Sequence, residues 1–252
     1  MAPYPPYLPP RAQPAGYAPS AASLPYLRRV YALFTGGVAF AVVGALVALY
    51  AGAPVDAGDR FGAVALPPIV AFGVQHWFLM MLMYLGAFFA ASAARRVPVL
   101  NVGALFGYTF VTGIFVAPSL FLAQLMASQG ASLDPSPVRD AFLLTFAAFT
   151  GLSGYALFTK KDFSFLGAAL STGLWVVLGA CLLGFFFHSE AFQLAIASVG
   201  VLLFAGYILF DTSRILRDPR EDDAVGAALR LFLDVVNLFL FLLRILSSSR
   251  DR

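Results

Sequence analysis

Charge is scarce in this sequence. Asp, Glu, Lys and Arg make up 12% of its 252 residues, whereas hydrophobic residues make up 60%. Soluble domains usually have about 25% charged and about 45–50% apolar residues. This deficit excludes an ordinary soluble domain and indicates an integral membrane protein whose excess apolar surface faces lipid.

Cysteine is almost absent, and so are catalytic motifs. The one cysteine, Cys181, lies in an apolar run, so the chain has no intrachain disulfide and no cysteine pair to hold a metal. The sequence contains no Gly-rich phosphate loop, zinc spacing, HExxH or nucleophile elbow. Its net charge of +3 comes from arginines beside apolar runs, which form no basic face for nucleic acid. We therefore expect no enzyme activity, no resident cofactor and no nucleic-acid partner.

Lysine is also rare, since only Lys160 and Lys161 accompany fourteen arginines. With the heavy use of Ala, Gly and Pro, this indicates a GC-rich bacterial genome. Residues 1–27 are rich in Pro, Ala and Tyr, and no apolar core follows a basic start, so they are not a signal peptide. We predict a disordered cytoplasmic tail over 1–27, with local polyproline II character, and a transmembrane domain over 28–252.

Long apolar runs fill the rest of the chain. A transmembrane helix needs about 20 apolar residues, and only helices or closed barrels can span a bilayer. The Pro67-Pro68 pair breaks one run, so the second helix is expected to start after it. The sequence predicts seven spans, at residues 30–50, 69–94, 99–126, 141–159, 165–187, 191–215 and 224–246.

The basic residues between these spans predict the orientation. Nine lie on one side and two on the other, which places the N-terminus in the cytoplasm by the positive-inside rule. Seven crossings leave the C-terminus outside, where Arg244, Arg250 and Arg252 are unfavourable. The alternative is a re-entrant last segment, and we favour seven crossings.

Charges interrupt the last span, which reads LRLFLDVVNLFLFLL over 229–243. A charge among such residues costs several kcal/mol unless it is satisfied. Steps of four and three residues place these polar groups on one helix stripe, which must face the bundle interior or a water-filled cavity. The stripe comprises Arg230, Asp234, Asn237, Phe241 and Arg244. A purely structural alternative pairs Arg230 with Asp234 at i,i+4 and bonds Asn237 to a neighbouring helix.

A second acid, Asp211, follows a long uncharged run in the sixth span, with Tyr207 one turn earlier. Counted from the cytoplasmic side, Asp211 lies about 7 Å deep and Asp234 about 10 Å deep. The two carboxylates on sequential helices are therefore expected to be neighbours. Such a pair titrates as a coupled unit and shares a proton, and its oxygens suit Ca²⁺. Arg96 is the candidate counter-charge.

The stretches that carry these residues resemble the Bax inhibitor family, also called the transmembrane Bax inhibitor motif proteins. The resemblance covers roughly residues 27–246. It is strongest in GYALFTKKDFSFLGAAL (154–170), LFAGYILFDTSRIL (203–216) and LRLFLDVVNLFLFLLRIL (229–246), and weaker in 27–38 and 95–114. It implies an all-α bundle of seven transmembrane helices with the last helix central. It also implies pH-sensitive Ca²⁺ leak and, in animals and plants, protection from cell death.

The same resemblance assigns roles to individual residues. Asp211 and Asp234 match the family's paired aspartates, proposed as a pH sensor and gate, and Arg96 matches the arginine that latches the sixth-helix acid, with Arg95 one position away. Arg244 matches the basic residue near the end of the last helix. Some bacterial relatives carry an acid within the second helix. This chain departs from them, because no Asp or Glu occurs between Asp59 and Asp134.

Two functions of different classes follow. The first is a pH-sensitive cation leak channel, for Ca²⁺, in a bacterial inner membrane, with Asp211 and Asp234 as sensor and cation ligands. The second is a membrane regulator that binds a membrane AAA protease or another protein, for which the long N-terminal tail is suited. An intramembrane aspartyl protease is disfavoured because the acids lie in FD and LD contexts and no GxGD occurs. His76 and His188 are interpreted as interface anchors.

Overall fold

The computed structural model describes residues 23–56, 65–95, 97–128, 136–159, 161–184, 186–187, 189–217 and 223–248. Within them the chain is almost entirely helical, which confirms the all-α prediction. The helices are α1 (Ser23–Tyr50), α2 (Pro68–Gln75), α3 (Trp77–Ala94), α4 (Leu100–Ser128), α5 (Pro137–Thr159), α6 (Leu166–Gly184), α7 (Glu190–Arg217) and α8 (Ala224–Ser248). Between α1 and α2, the two-residue strands β1 (Val55–Asp56) and β2 (Ala65–Leu66) pair antiparallel.

Six helices of the described chain are long and apolar enough to cross a membrane, namely α1, α3, α4, α5, α6 and α7. Their outward faces carry large apolar side chains such as Phe89, Trp175 and Leu202. In water such surfaces would be an aggregation hazard, whereas in lipid they need no cover. The chain is an integral membrane protein. α8, with Arg230, Asp234 and Arg244, is not among these six helices.

Two predicted boundaries are corrected by the structure. Residues 23–27, assigned to the tail, form the first turns of α1, where Tyr26 and Leu27 are buried; residues 1–22 lie outside the described chain. The second predicted span is two helices, because the backbone of His76 leaves helical geometry between α2 and α3. Residue 76 is neither Pro nor Gly, so this break could not be predicted from the sequence. α2 packs against α1 and α4.

α1 and α4 cross with their backbones in close approach. A Cβ atom added at Gly44 would overlap the carbonyl of Phe110, and one at Gly113 would overlap the carbonyl of Ala41. Small residues permit this because lipid provides no hydrophobic drive between helices, so association depends on close packing.

α8 occupies the interior of the bundle. It packs against α1, α4, α5 and α7, while α3 packs on α4 and α6 packs on α7. Its N-terminal part is buried from Ala224 to Leu229, and Leu231 and Phe232 are also buried. The ring of Phe241 lies against Gly200 of α7, where a larger residue would collide with it. The central position implied for the last helix is therefore present.

Candidate functional site: a buried acidic pair and its counter-charges

Asp211 of α7 and Asp234 of α8 meet inside the bundle. Asp211 is 4% exposed and Asp234 is 6% exposed, so neither carboxyl is solvated by bulk water. Their side chains lie within hydrogen-bonding reach of each other. A hydrogen bond between two carboxyl groups requires a proton on one of them, so such a pair is able to share a proton. The proximity inferred from matched depth is present in the structure.

The guanidinium of Arg230 is the main counter-charge of the pair. Its Nε lies 3.7 Å from Oδ2 of Asp211, and its Nη1 lies 3.7 Å from Oδ2 of Asp223. Arg214, exposed on α7, also acts electrostatically on Asp211, more weakly than Arg230 does. The structural alternative paired Arg230 with Asp234; the ion pairs of Arg230 within the described chain run to Asp211 and Asp223, and the guanidinium also acts electrostatically on Asp234.

Two polar atoms at this site have no hydrogen-bond partner among the described residues: Nε of Arg230 and Oδ2 of Asp234. A buried polar atom without a partner costs about 1–3 kcal/mol, more when it is charged. Buried polar atoms without a protein partner are commonly hydrogen-bonded to ordered water.

The residue after Asp211 joins a separate cluster of hydroxyl groups. Oγ1 of Thr212 lies 3.3 Å from Oγ of Ser153 on α5, and the buried phenol oxygen of Tyr31 on α1 lies near both but makes no hydrogen bond among the described residues. Thr212 and Ser153 are buried. The contact between Thr212 and Ser153 connects α5 and α7 one residue from the acidic pair.

The next residue, Ser213, holds the turn between α5 and α6. Its hydroxyl donates to the carbonyl of Lys161 and accepts from the backbone N–H of Phe163, at 3.5 Å each. Asp162 of the same turn accepts a 2.9 Å bond from the N–H of Ser164 and pairs with Arg217 at 3.4 Å. Three consecutive residues, 211–213, therefore bind three different parts of the bundle.

Hydrogen bonds in this turn also set the charge of Asp162. Bonds from Ser164, together with the nearby Arg217 guanidinium, lower the pKa of the Asp162 carboxyl. Asp162 is thus ionised at neutral pH.

The remaining predicted residues have mixed outcomes. Tyr207 interacts electrostatically with both carboxylates, as its position one turn before Asp211 suggested. The amide nitrogen of Asn237 donates to the carbonyl of Leu233 in its own helix at 2.8 Å, whereas the structural alternative gave it a bond to a neighbouring helix. Arg244 is exposed near the end of α8, and His76 is exposed at the α2–α3 break. Arg96 and His188 lie outside the described residues.

Sequence reasoning missed four participants in the site. Asp223 was not considered, and Arg214 was interpreted only as a topological charge; Tyr31 and Ser153 carried no signal beyond being polar in apolar runs. A usable signal did exist, because Thr212 and Ser213 extend Asp211 into three adjacent polar residues within a span. Three neighbours on a helix point about 100° apart, so each must find its own partner.

No group of three or more His, Cys, Asp or Glu side chains able to hold a metal ion occurs among the described residues. The paired carboxylates alone are too few for a resident Ca²⁺ ion, which takes six to eight oxygen ligands.

These features define a polytopic α-helical membrane protein with a buried acidic pair in its interior. The chain belongs to the Bax inhibitor-1 family, because the family model described as "Inhibitor of apoptosis-promoting Bax1" matches residues 25–251. It is 37% identical to an uncharacterized protein of Campylobacter jejuni over 90% of both chains. Identity to mouse Protein lifeguard 4 is 34%, over 90% of this chain and 86% of that protein. The Golgi anti-apoptotic protein of vaccinia virus is 36% identical over 67% of each chain.

Proposed function

We propose that the protein is a pH-sensitive leak channel for cations, principally Ca²⁺, in a bacterial inner membrane. The observation that carries this proposal is the contact between the buried carboxyls of Asp211 and Asp234, with a counter-charge at ion-pair distance. Two buried carboxyls that are able to share a proton are what a proton-operated gate needs, since its two states must bind protons differently for pH to act.

In the closed state, the neutralised pair joins α7 to α8 and fills the inner half of the bundle. Loss of the shared proton leaves two adjacent negative charges, which repel each other and attract a cation. The α7–α8 contact then loosens, and the carboxylates become transient oxygen ligands for Ca²⁺. Arg96, placed beside Asp211 by family resemblance, would oppose this separation as a latch from the second span.

The proposed topology has seven crossings, an N-terminus in the cytoplasm and α8 as the seventh crossing. The length of α8 supports this, because 25 residues of unbroken helix extend about 37 Å, more than the hydrocarbon core of about 30 Å. A re-entrant segment turns back inside the membrane and needs a break that α8 does not contain.

Ca²⁺ flux into proteoliposomes tests the function. The wild type should show a flux that changes between about pH 5 and pH 8, and Asp211→Asn/Asp234→Asn should flatten the profile. Asp140→Asn is the matched control, since this acid pairs with Arg139 at the start of α5, remote from the pair. Absence of flux above empty liposomes at every pH would refute the channel.

The second candidate is a non-enzymatic membrane regulator that binds a membrane AAA protease or another protein. The name of the vaccinia relative, a Golgi anti-apoptotic protein, favours a regulatory role for that protein. Deleting residues 2–22 removes the tail and leaves α1 intact. A regulator that uses the tail should lose its partner in a pull-down, whereas a channel should conduct as before.

A further inference from the structure

The turn between α5 and α6 is bound to the end of α7. The hydroxyl of Ser213 on α7 donates to the carbonyl of Lys161 and accepts from the N–H of Phe163 in this turn. Arg214 is the residue after Ser213, so Lys161 and Arg214 are adjacent across this contact although they are distant in the sequence. The fold therefore brings two basic residues of different elements to one place.

Positive charge exceeds negative charge at this contact. Lys161 and Arg214 are both exposed. Asp162, the acid of the turn, lies 3.4 Å from a guanidinium nitrogen of Arg217, which neutralises its charge. Within the described chain, the positive charges of Lys161 and Arg214 are therefore in excess at this end of the bundle.

Large aromatic side chains flank the same turn. Phe158, in the last turn of α5, is 87% exposed, and Phe165, just before α6, is 74% exposed. Phe163 between them is buried, and its ring centroid lies 5.9 Å from that of Tyr155, so the turn is held against the bundle. In a membrane protein, exposed aromatic rings at helix ends lie at the boundary between lipid tails and headgroups. Lys161 is therefore at the level of the headgroups.

We infer that Lys161 and Arg214 form a binding site for the headgroup of an anionic phospholipid, whose acyl chains lie against Phe158 and Phe165. A phosphate group between an ammonium and a guanidinium makes charge-assisted hydrogen bonds to both. The two exposed phenylalanines favour a lipid over a free phosphate ion, because only the lipid has apolar chains to cover them. In the proposed topology this end faces the cytoplasm, where anionic lipids attract basic residues at the membrane surface. The inference goes beyond the proposed function and does not depend on ion flux.

Quenching of a local tryptophan by brominated lipid measures lipid preference at this site. Trp77→Phe/Trp175→Phe removes the two native tryptophans, and Phe158→Trp then adds a reporter beside the turn. The full-length protein is reconstituted in phosphatidylcholine vesicles that contain either brominated phosphatidylglycerol or brominated phosphatidylcholine. We expect phosphatidylglycerol to bind beside this reporter about five-fold more strongly or better, since each basic residue at a membrane surface contributes about five-fold. Phe186→Trp, at the opposite end of α6 and 80% exposed, is the matched control reporter and should show no preference.

Charge variants separate a local site from general attraction to the membrane. Lys161→Gln/Arg214→Gln should abolish the preference for phosphatidylglycerol, whereas Asp162→Asn removes the acid of the turn and should increase it. Arg244→Gln removes one positive charge near the other end of α8 and should leave the preference unchanged. If the double variant does not fold, Lys161→Gln alone alters an exposed side chain and should still lower the preference. An unchanged preference in Lys161→Gln would then reject the site.

Equal quenching by the two brominated lipids at Phe158→Trp would overturn the inference, and so would a preference that survives Lys161→Gln/Arg214→Gln. Millimolar inorganic phosphate, compared with sodium chloride of equal ionic strength, distinguishes a lipid headgroup from a free phosphate ion. A preference that phosphate abolishes would overturn the lipid assignment, and one that persists supports it. The channel fails separately, because absence of Ca²⁺ flux at every pH would leave the lipid preference unaffected, and equal quenching would leave the flux profile unaffected.

Discussion

The hydroxyl of Ser248, the last residue of α8, donates a hydrogen bond to the carboxylate of Glu190, the first residue of α7. At the opposite ends of the same helices, Arg230 pairs with Asp211. The two helices thus run antiparallel along their full lengths, and the acidic pair lies near one end of their shared interface.

This arrangement predicts the location of the C-terminus. We expect alkaline phosphatase fused after residue 252 to be active in bacterial cells, because in the proposed topology α8 is the seventh crossing and ends on the far side from the cytoplasm. A green fluorescent protein fused at the same point should be dark. Bright fluorescence without phosphatase activity would show that the C-terminus is cytoplasmic and that α8 does not cross.

The α1–α4 crossing predicts a position-specific effect of adding one methyl group. Gly113→Ala should destabilise the protein by about 1–3 kcal/mol, because the new Cβ overlaps the Ala41 carbonyl and the backbones must separate. Gly107→Ala in the same helix is the control, since nothing lies within 4 Å of that position. It should be neutral or stabilise by up to about 1 kcal/mol, because alanine favours helix. Thermal unfolding in detergent measures both, and equal melting temperatures would contradict the close crossing.

The hydroxyl cluster predicts that Thr212→Val destabilises the bundle by about 1 kcal/mol. The substitution keeps the shape of the side chain but leaves the hydroxyl of Ser153 with one partner fewer inside the bundle. Thr145→Val is matched to it, because the buried hydroxyl of Thr145 bonds the Ala141 carbonyl of its own helix at 2.7 Å. Unfolding midpoints in detergent should fall further for Thr212→Val, and a larger loss for Thr145→Val would rule the cluster out as an interhelical tie.

The lowered pKa of Asp162 predicts that the pH dependence of the flux does not originate at this residue. Because folding lowers its pKa, Asp162 contributes stability that is fully present above its ordinary value of 3.8 and is lost as pH falls through the lowered pKa. Between about pH 5 and pH 8 that contribution is constant. Asp162→Asn should therefore change stability by the same small amount at every pH in this range. A flux profile whose midpoint moved in this variant would contradict the assignment of the sensor to the acidic pair.

Much of the architecture could be read from the sequence because hydropathy is a local property. Each of the predicted spans overlaps a helix, since an apolar run of bilayer length has few alternatives to being helical. The proximity of Asp211 and Asp234 could also be inferred, because the rise per residue converts position into depth on two sequential antiparallel helices.

What the sequence by itself determined is thus the class of protein, the approximate spans and the pair of acids at one depth. Only the tertiary structure decided that Arg230 faces Asp211 and Asp223 in place of Asp234, and that Thr212 meets Ser153. It also divided the second span at His76. The physical reason is that hydropathy and periodicity fix where along a helix a side chain lies. Its partner depends on the rotation and crossing of helices, which the packing of the whole bundle determines.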